Sequence, residues 1–90
     1  MLNSSQQDAV QSQVQFMSDQ ERAQAKERAI SLLENLRCIN YRPMSQNENE
    51  LFHLNVEILM RIEALEQSKG LLFRLKRRLQ LTAKYLPSVR

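Results

Sequence analysis

The sequence is almost devoid of the residues that reverse a polypeptide chain. It contains one glycine and two prolines in 90 residues, whereas average usage would give about 12% for the pair. β-Sandwiches and barrels need a turn roughly every 8–12 residues, and a nucleotide-binding α/β domain needs a glycine-rich loop. The sequence excludes both classes. It predicts an all-α protein with very few places at which the chain turns back.

The clearest of these places is the stretch that ends at Pro43. Proline disfavours helix at the residue before it and removes a backbone donor, so a helix should end near Ile39. Helix starts are indicated by a serine followed three residues later by an acid, because both side chains cap free backbone amides. This spacing occurs at Ser5–Asp8, Ser18–Glu21 and Ser45–Glu48.

An apolar residue recurs every seven positions along the segment that follows the turn. The series is Leu51, Ile58, Leu65, Leu72, Leu79 and Leu86. Because its phase is unbroken from Leu65 to Leu72, we predict one continuous helix over residues 46–86 that passes through Gly70. Such a helix would be about 60 Å long at 1.5 Å per residue.

These patterns together predict an antiparallel helical hairpin, similar to a coiled coil, with a long C-terminal helix. Residues 18–90 form the hairpin domain, with a helix over about 19–39, a turn over 40–45 and a helix over about 46–86. Residues 1–17 form a separate arm rich in Gln and Ser. Val10 and Val14 lie at helical spacing in this arm, which predicts a short and weak N-terminal helix.

The two helices of the predicted hairpin differ in length. The first is about 30 Å long and covers only residues 46–66 of the second, so the apolar stripe beyond that point has nothing to pack against. Uncovered apolar surface of this kind marks an interface. We therefore predict that a partner protein, or a second copy of the chain, binds this stripe. The predicted partner-binding residues are Leu65, Leu72, Phe73, Leu75, Leu79 and Leu86.

Charge is distributed unevenly between the two parts of the chain. Residues 67–90 carry seven basic residues and no acid, whereas residues 1–66 carry six basic and ten acidic residues. Such asymmetry suggests contact with nucleic acid, a membrane surface or an acidic partner, but bases near a helix C-terminus also favour the helix dipole. The alternative function is therefore a small dimeric nucleic-acid-binding regulator, and a membrane surface is the weaker choice. Its phosphate or acidic-partner contacts would be Arg74, Arg77, Arg78 and Lys84, on the helix face away from Leu72 and Leu79.

The sequence gives no support to an enzyme, a cofactor or a metal site. Cysteine catalysis needs a base within hydrogen-bond reach, and no group that would orient Cys38 and His53 is apparent. Glu50 and His53 have the spacing of half a di-iron site, but helical geometry turns Glu50, His53 and Glu57 away from the apolar stripe and towards solvent. We therefore expect a protein that acts by binding.

The expected compartment follows from the cysteine count and from the apolar runs. A single cysteine, Cys38, cannot form an internal disulfide, so nothing indicates an oxidising environment. The apolar runs are too short for a transmembrane helix, which needs about 20 residues, and the polar start does not resemble a signal peptide. We expect a cytoplasmic protein.

Residues of about 26–79 resemble the E-component co-chaperones of bacterial type III secretion systems, which guard the needle subunit. The resemblance is carried by the alanine- and leucine-containing helix that ends at Cys38, by the break at Pro43, and by three short segments of the second helix. These segments are Glu50-Leu51, Ala64-Leu65-Glu66-Gln67 and Gly70-Leu71-Leu72. The resemblance implies a helical hairpin that works with a cytoplasmic partner of tetratricopeptide-like type. The two would hold an aggregation-prone filament subunit between them.

Overall fold

The protein folds into four α-helices in a computed structural model that describes residues 2–86. They are α1 (Ser4–Gln15), α2 (Asp19–Arg37), α3 (Gln46–Glu66) and α4 (Leu71–Tyr85). The predicted all-α class is confirmed. Met1 of the predicted arm and residues 87–90 of the predicted hairpin domain lie outside the described residues.

Helices α2 and α3 form the antiparallel hairpin that the sequence predicts. The caps at both starts are confirmed: Ser18 and Glu21 cap α2, and Ser45 and Glu48 cap α3, each pair through two reciprocal hydrogen bonds. Lys26 near the start of α2 pairs with Glu66 at the end of α3, with 3.2 Å between Nζ and Oε2. The two helices therefore run in opposite directions.

The N-terminal arm forms a helix, as predicted, but its cap lies earlier than expected. Asn3 accepts a hydrogen bond from the backbone of Gln6, and the Gln6 side chain accepts one from the backbone of Asn3. The predicted cap at Ser5 is wrong, because Ser5 lies inside α1. Val10 and Val14 are buried in a small cluster with Ala25 of α2 and Ile62 of α3, which anchors α1 to the hairpin.

The predicted continuous helix over residues 46–86 is wrong. The chain leaves α3 through Ser68, which has a positive φ of 52°, the left-handed conformation that ends many helices. The backbone amides of Ser68 and Lys69 donate to Leu65 and Ala64 at 3.2 and 2.8 Å, the double hydrogen bond of a Schellman motif. The chain then enters α4 at Gly70.

The physical reason for this break is that α4 gains a packing surface by turning back. A straight extension would leave the whole of α4 in water, whereas in the folded chain α4 packs on α3 and, to a smaller extent, on α2. The principal extents of the protein are 39 × 25 × 21 Å, well short of the expected 60 Å length of a single helix. The seven-residue phase across Gly70 therefore does not mark a continuous helix.

Helix α3 is the centre of the fold and contacts each of the other three helices. Its buried face does not coincide with the seven-residue series, since Leu51 and Leu65 remain about two-fifths exposed. A neighbouring face is buried instead, and the largest residues on it are Phe52, Leu59 and Met60. The main core also includes Leu33 and Leu36 of α2 and Leu81 and Tyr85 of α4.

Candidate protein-docking site

Helix α4 turns most of its leucines towards solvent. Leu72 is 83% exposed and Leu79 is 71% exposed, and Leu75 and Leu86 are also exposed. These four residues define what we call the outer leucine face. Among the other predicted contact residues, Leu65 at the end of α3 is exposed and Phe73 is half-buried. Leu71, which was not among the predicted contact residues, is 60% exposed at the start of α4.

The opposite face of α4 packs on the bundle. Its buried residues are Leu81 and Tyr85, and in the part of α4 before Leu81 the residues Arg77 and Arg78 form ion pairs with α3. An arginine can cover apolar surface with the aliphatic part of its side chain while its guanidinium group pairs with an acid. Because Arg77 and Arg78 pack on α3 in this way, the leucines of α4 lie on the outer side of the helix.

Arg77 is held against α3 by the carboxylate of Glu63. Nε and Nη2 of Arg77 donate to the two carboxylate oxygens at 2.5 and 3.2 Å. This paired geometry is the strong form of an arginine–carboxylate contact. The hydrogen bonds to Glu63 raise the pKa of Arg77 above its usual value.

Glu57 is the centre of a buried polar network that links three helices. Its carboxylate accepts from Arg61 Nε at 2.7 Å and pairs with Arg78 Nη2 at 3.0 Å. Arg61 in turn donates to the side chain of Gln11 in α1. The prediction that Glu57 faces solvent is wrong, since Glu57 is 3% exposed. The reason is that α1 and α4 cover the side of α3 that a two-helix hairpin would leave open.

The basic residues of α4 do not form the solvent-facing strip that the nucleic-acid hypothesis needs. Arg77 and Arg78 lie away from the leucines, as predicted, but they face α3 and pair with its acids. Arg74 lines an open cleft of about 360 Å³ together with Arg61 and Lys69. Lys84 is exposed, with its Nζ 5.1 Å from the Tyr85 ring. The four residues are therefore not one continuous surface.

The residues considered for catalysis and metal binding differ in their exposure. Cys38 is exposed at the end of α2, and His53 is half-buried on α3. Burial lowers the pKa of His53 below its usual value, and the positive charge of Arg78 lowers it further. Among residues 2–86, no group of three His, Cys, Asp or Glu side chains is arranged to hold a metal ion.

A second concave surface lies between α1 and the start of α3. It is an open cleft of about 290 Å³, and the side chains that line it are mixed in character: Leu2, Gln6, Asn47, Glu50, Leu51 and Leu54. The sequence gives little sign of this cleft, because it forms only when α1 packs across α3.

Comparisons with protein-family models, with curated proteins and with solved structures give no match. None of the helices in the described part of the chain has both the length and the apolar character that crossing a membrane requires. What can be said of function therefore depends on the residues of this chain, and above all on the outer leucine face.

Proposed function

We propose that this protein is a small, non-enzymatic helical adaptor or co-chaperone that binds a partner protein through the outer leucine face. The observation that carries the proposal is the exposure of Leu72 and Leu79 on one side of a helix whose other side packs on the bundle. Single exposed leucines are ordinary on protein surfaces. Three on one face of a 15-residue helix, with a fourth at its C-cap, form an apolar patch, which is typical of an interaction site.

The location of the patch adds support. Helix α3 has a buried face and contributes the centre of the core, so the fold does not depend on the outer leucine face. We expect that replacing Leu72 and Leu79, the most exposed of these leucines, costs the monomer little, and their apolar character therefore points to a role outside the monomer's own stability.

The biological setting that we propose is the cytoplasm, in a role of the co-chaperone kind. The resemblance to type III secretion co-chaperones covers residues of about 26–79, which are most of α2, all of α3 and the first part of α4. In that setting the outer leucine face would bind a partner protein and keep an aggregation-prone filament subunit from assembling early.

The experiment compares three forms of the chain for the recovery of bound protein from the source cells. The first is the unchanged chain and the second carries Leu72→Asp and Leu79→Asp. The third carries Phe16→Asp, a matched control, because Phe16 is as exposed as Leu72 but lies between α1 and α2. The recovered protein is identified by mass spectrometry, purified and mixed again with each form.

We expect the unchanged chain and the Phe16→Asp variant to form a complex of fixed stoichiometry by light scattering. The double variant should form none, while circular dichroism shows that its helices are retained. A complex that forms equally well with all three forms of the chain would overturn the proposal, because binding would then occur elsewhere on the molecule.

A further inference from the structure

We infer that the occupant of the outer leucine face is an acidic amphipathic helix of another protein. This inference rests on the proposed function and adds the chemistry of the partner. It is argued from the spacing of the leucines, from the charges that flank them, and from what a second copy of the chain would bring to the same face.

The spacing of the leucines suits a helix as the binding element. Leu72 and Leu79 are seven residues apart on α4, and Leu75 follows Leu72 by three. Leu86 continues the spacing in the sequence but is the C-cap of α4, where the backbone is already extended. This is the spacing with which side chains of one helix enter the gaps between side chains of another. A lipid surface has no such periodicity. The face also lacks exposed Trp or Phe, the residues that commonly anchor a helix at a membrane.

The charges beside the leucines are all positive. No Asp or Glu occurs from residue 67 to residue 86, and Lys76 is exposed beside Leu72 and Leu79 on α4. Glu57 and Glu63 of α3, which reach α4, are paired with Arg78 and Arg77. Within the described residues, the flank of the outer leucine face therefore presents the positive charge of Lys76, and no acid of α4, to whatever binds there.

A second copy of the chain fits this face poorly. A symmetric dimer uses the same patch on both subunits, so each α4 would bring lysines and no acid to the other. Opposed like charges disfavour association, whereas complementary charges favour it and select the partner. A helix with leucine-like residues along one face and Asp or Glu beside them satisfies both the spacing and the charge.

The experiment uses two synthetic amphipathic peptides of about four heptads with the same leucines in the contact positions. One carries glutamate at the flanking positions and the other carries lysine. Binding to the full chain is measured by fluorescence anisotropy of the labelled peptides. Three variants are compared with the unchanged chain: Leu79→Asp, Lys76→Glu, and Arg28→Glu, which makes the same charge change at an exposed position of α2.

We expect the acidic peptide to bind at least about tenfold more tightly than the basic peptide, and to weaken as salt is added. Leu79→Asp should abolish binding. Lys76→Glu should weaken binding of the acidic peptide by several-fold, whereas Arg28→Glu should have a much smaller effect.

Other outcomes overturn the inference and are distinguishable from a failure of the proposed function. If both peptides bind equally well and Leu79→Asp abolishes this binding, the inference of an acidic partner is wrong, but the face is still a protein-docking site. A dimer of the chain that Leu79→Asp dissociates would show that a second copy is the occupant. Binding to phosphatidylserine vesicles in place of either peptide would show that the face binds a membrane.

Discussion

Helices α3 and α4 share one sequence pattern but differ in how much surface they bury beside it. Both carry leucine or isoleucine at every seventh position: Leu51, Ile58 and Leu65 in α3, and Leu72 and Leu79 in α4. Helix α3 lies between three neighbours and buries a broad face beside this series, whereas α4 packs on one side through Leu81, Tyr85 and two arginines. Burial is thus decided by what surrounds a helix and not by the periodicity alone.

The difference in burial between α3 and α4 is tested most directly by making the same substitution on both helices. Leu59 of α3 is 1% exposed and Leu72 of α4 is 83% exposed. Leu59→Ala should lower the free energy of unfolding by about 2–5 kcal/mol, because it leaves a cavity in the core. Leu72→Ala should change it by less than about 0.5 kcal/mol. Urea unfolding followed by circular dichroism measures both, and a similar loss in the two variants would contradict the exposed position of Leu72.

The contact between α3 and α4 can be tested at Glu57, whose carboxylate is buried. Glu57→Gln would leave Arg61 and Arg78 without a charged partner. We expect a loss of about 2–3 kcal/mol, below the roughly 3–5 kcal/mol typical of fully buried pairs because Arg78 keeps part of its side chain in water. Glu66→Gln is the control: it removes the more exposed pair with Lys26 and should cost less than about 1 kcal/mol. Equal losses would mean that the Glu57 network is not what fixes α4 on α3.

The smallest expected effect is a dependence of stability on pH, which arises from His53 near Arg78. Burial and the nearby Arg78 lower the pKa of His53, so the unfolded chain binds a proton more readily than the folded chain. Stability from this group is complete above the unfolded pKa of about 6.5 and decreases as the pH falls from there towards the folded pKa. The urea midpoint should therefore be lower at pH 5.5 than at pH 7.5. The difference should be smaller in His53→Gln, and an unchanged difference would rule out His53 as its source.

The parts of the fold that follow from local signals were predictable from the sequence. The caps at Ser18 and Ser45 depend on residues three positions apart, and the turn at Pro43 depends on the ring of a single proline. The all-α class follows from the scarcity of glycine and proline. The start of α1 was misplaced because Asn3 and Gln6 can form the same reciprocal hydrogen bonds as serine and an acid.

The break between α3 and α4 was not predicted, since Ser68 adopts a conformation that glycine usually adopts. The polar run from Gln67 to Gly70 is the sequence signal for this break. The regular seven-residue spacing of the leucines across it favoured a continuous helix instead. The burial of Glu57 was also missed, because it depends on α1 and α4 covering α3, which no local pattern encodes. The exposure of Leu72 and Leu79 was anticipated for a different reason, namely that the covering helix was too short.

The central position of α3 has consequences for the ensemble of native conformations. Helix α1 is attached to the hairpin mainly through two valines, Leu2 and the hydrogen bond from Arg61 to Gln11. Few buried side chains hold α1 in place, so we expect its local opening to cost less than opening α2 or α3. The backbone amides of α1 should therefore exchange with solvent more readily than those of α2 and α3.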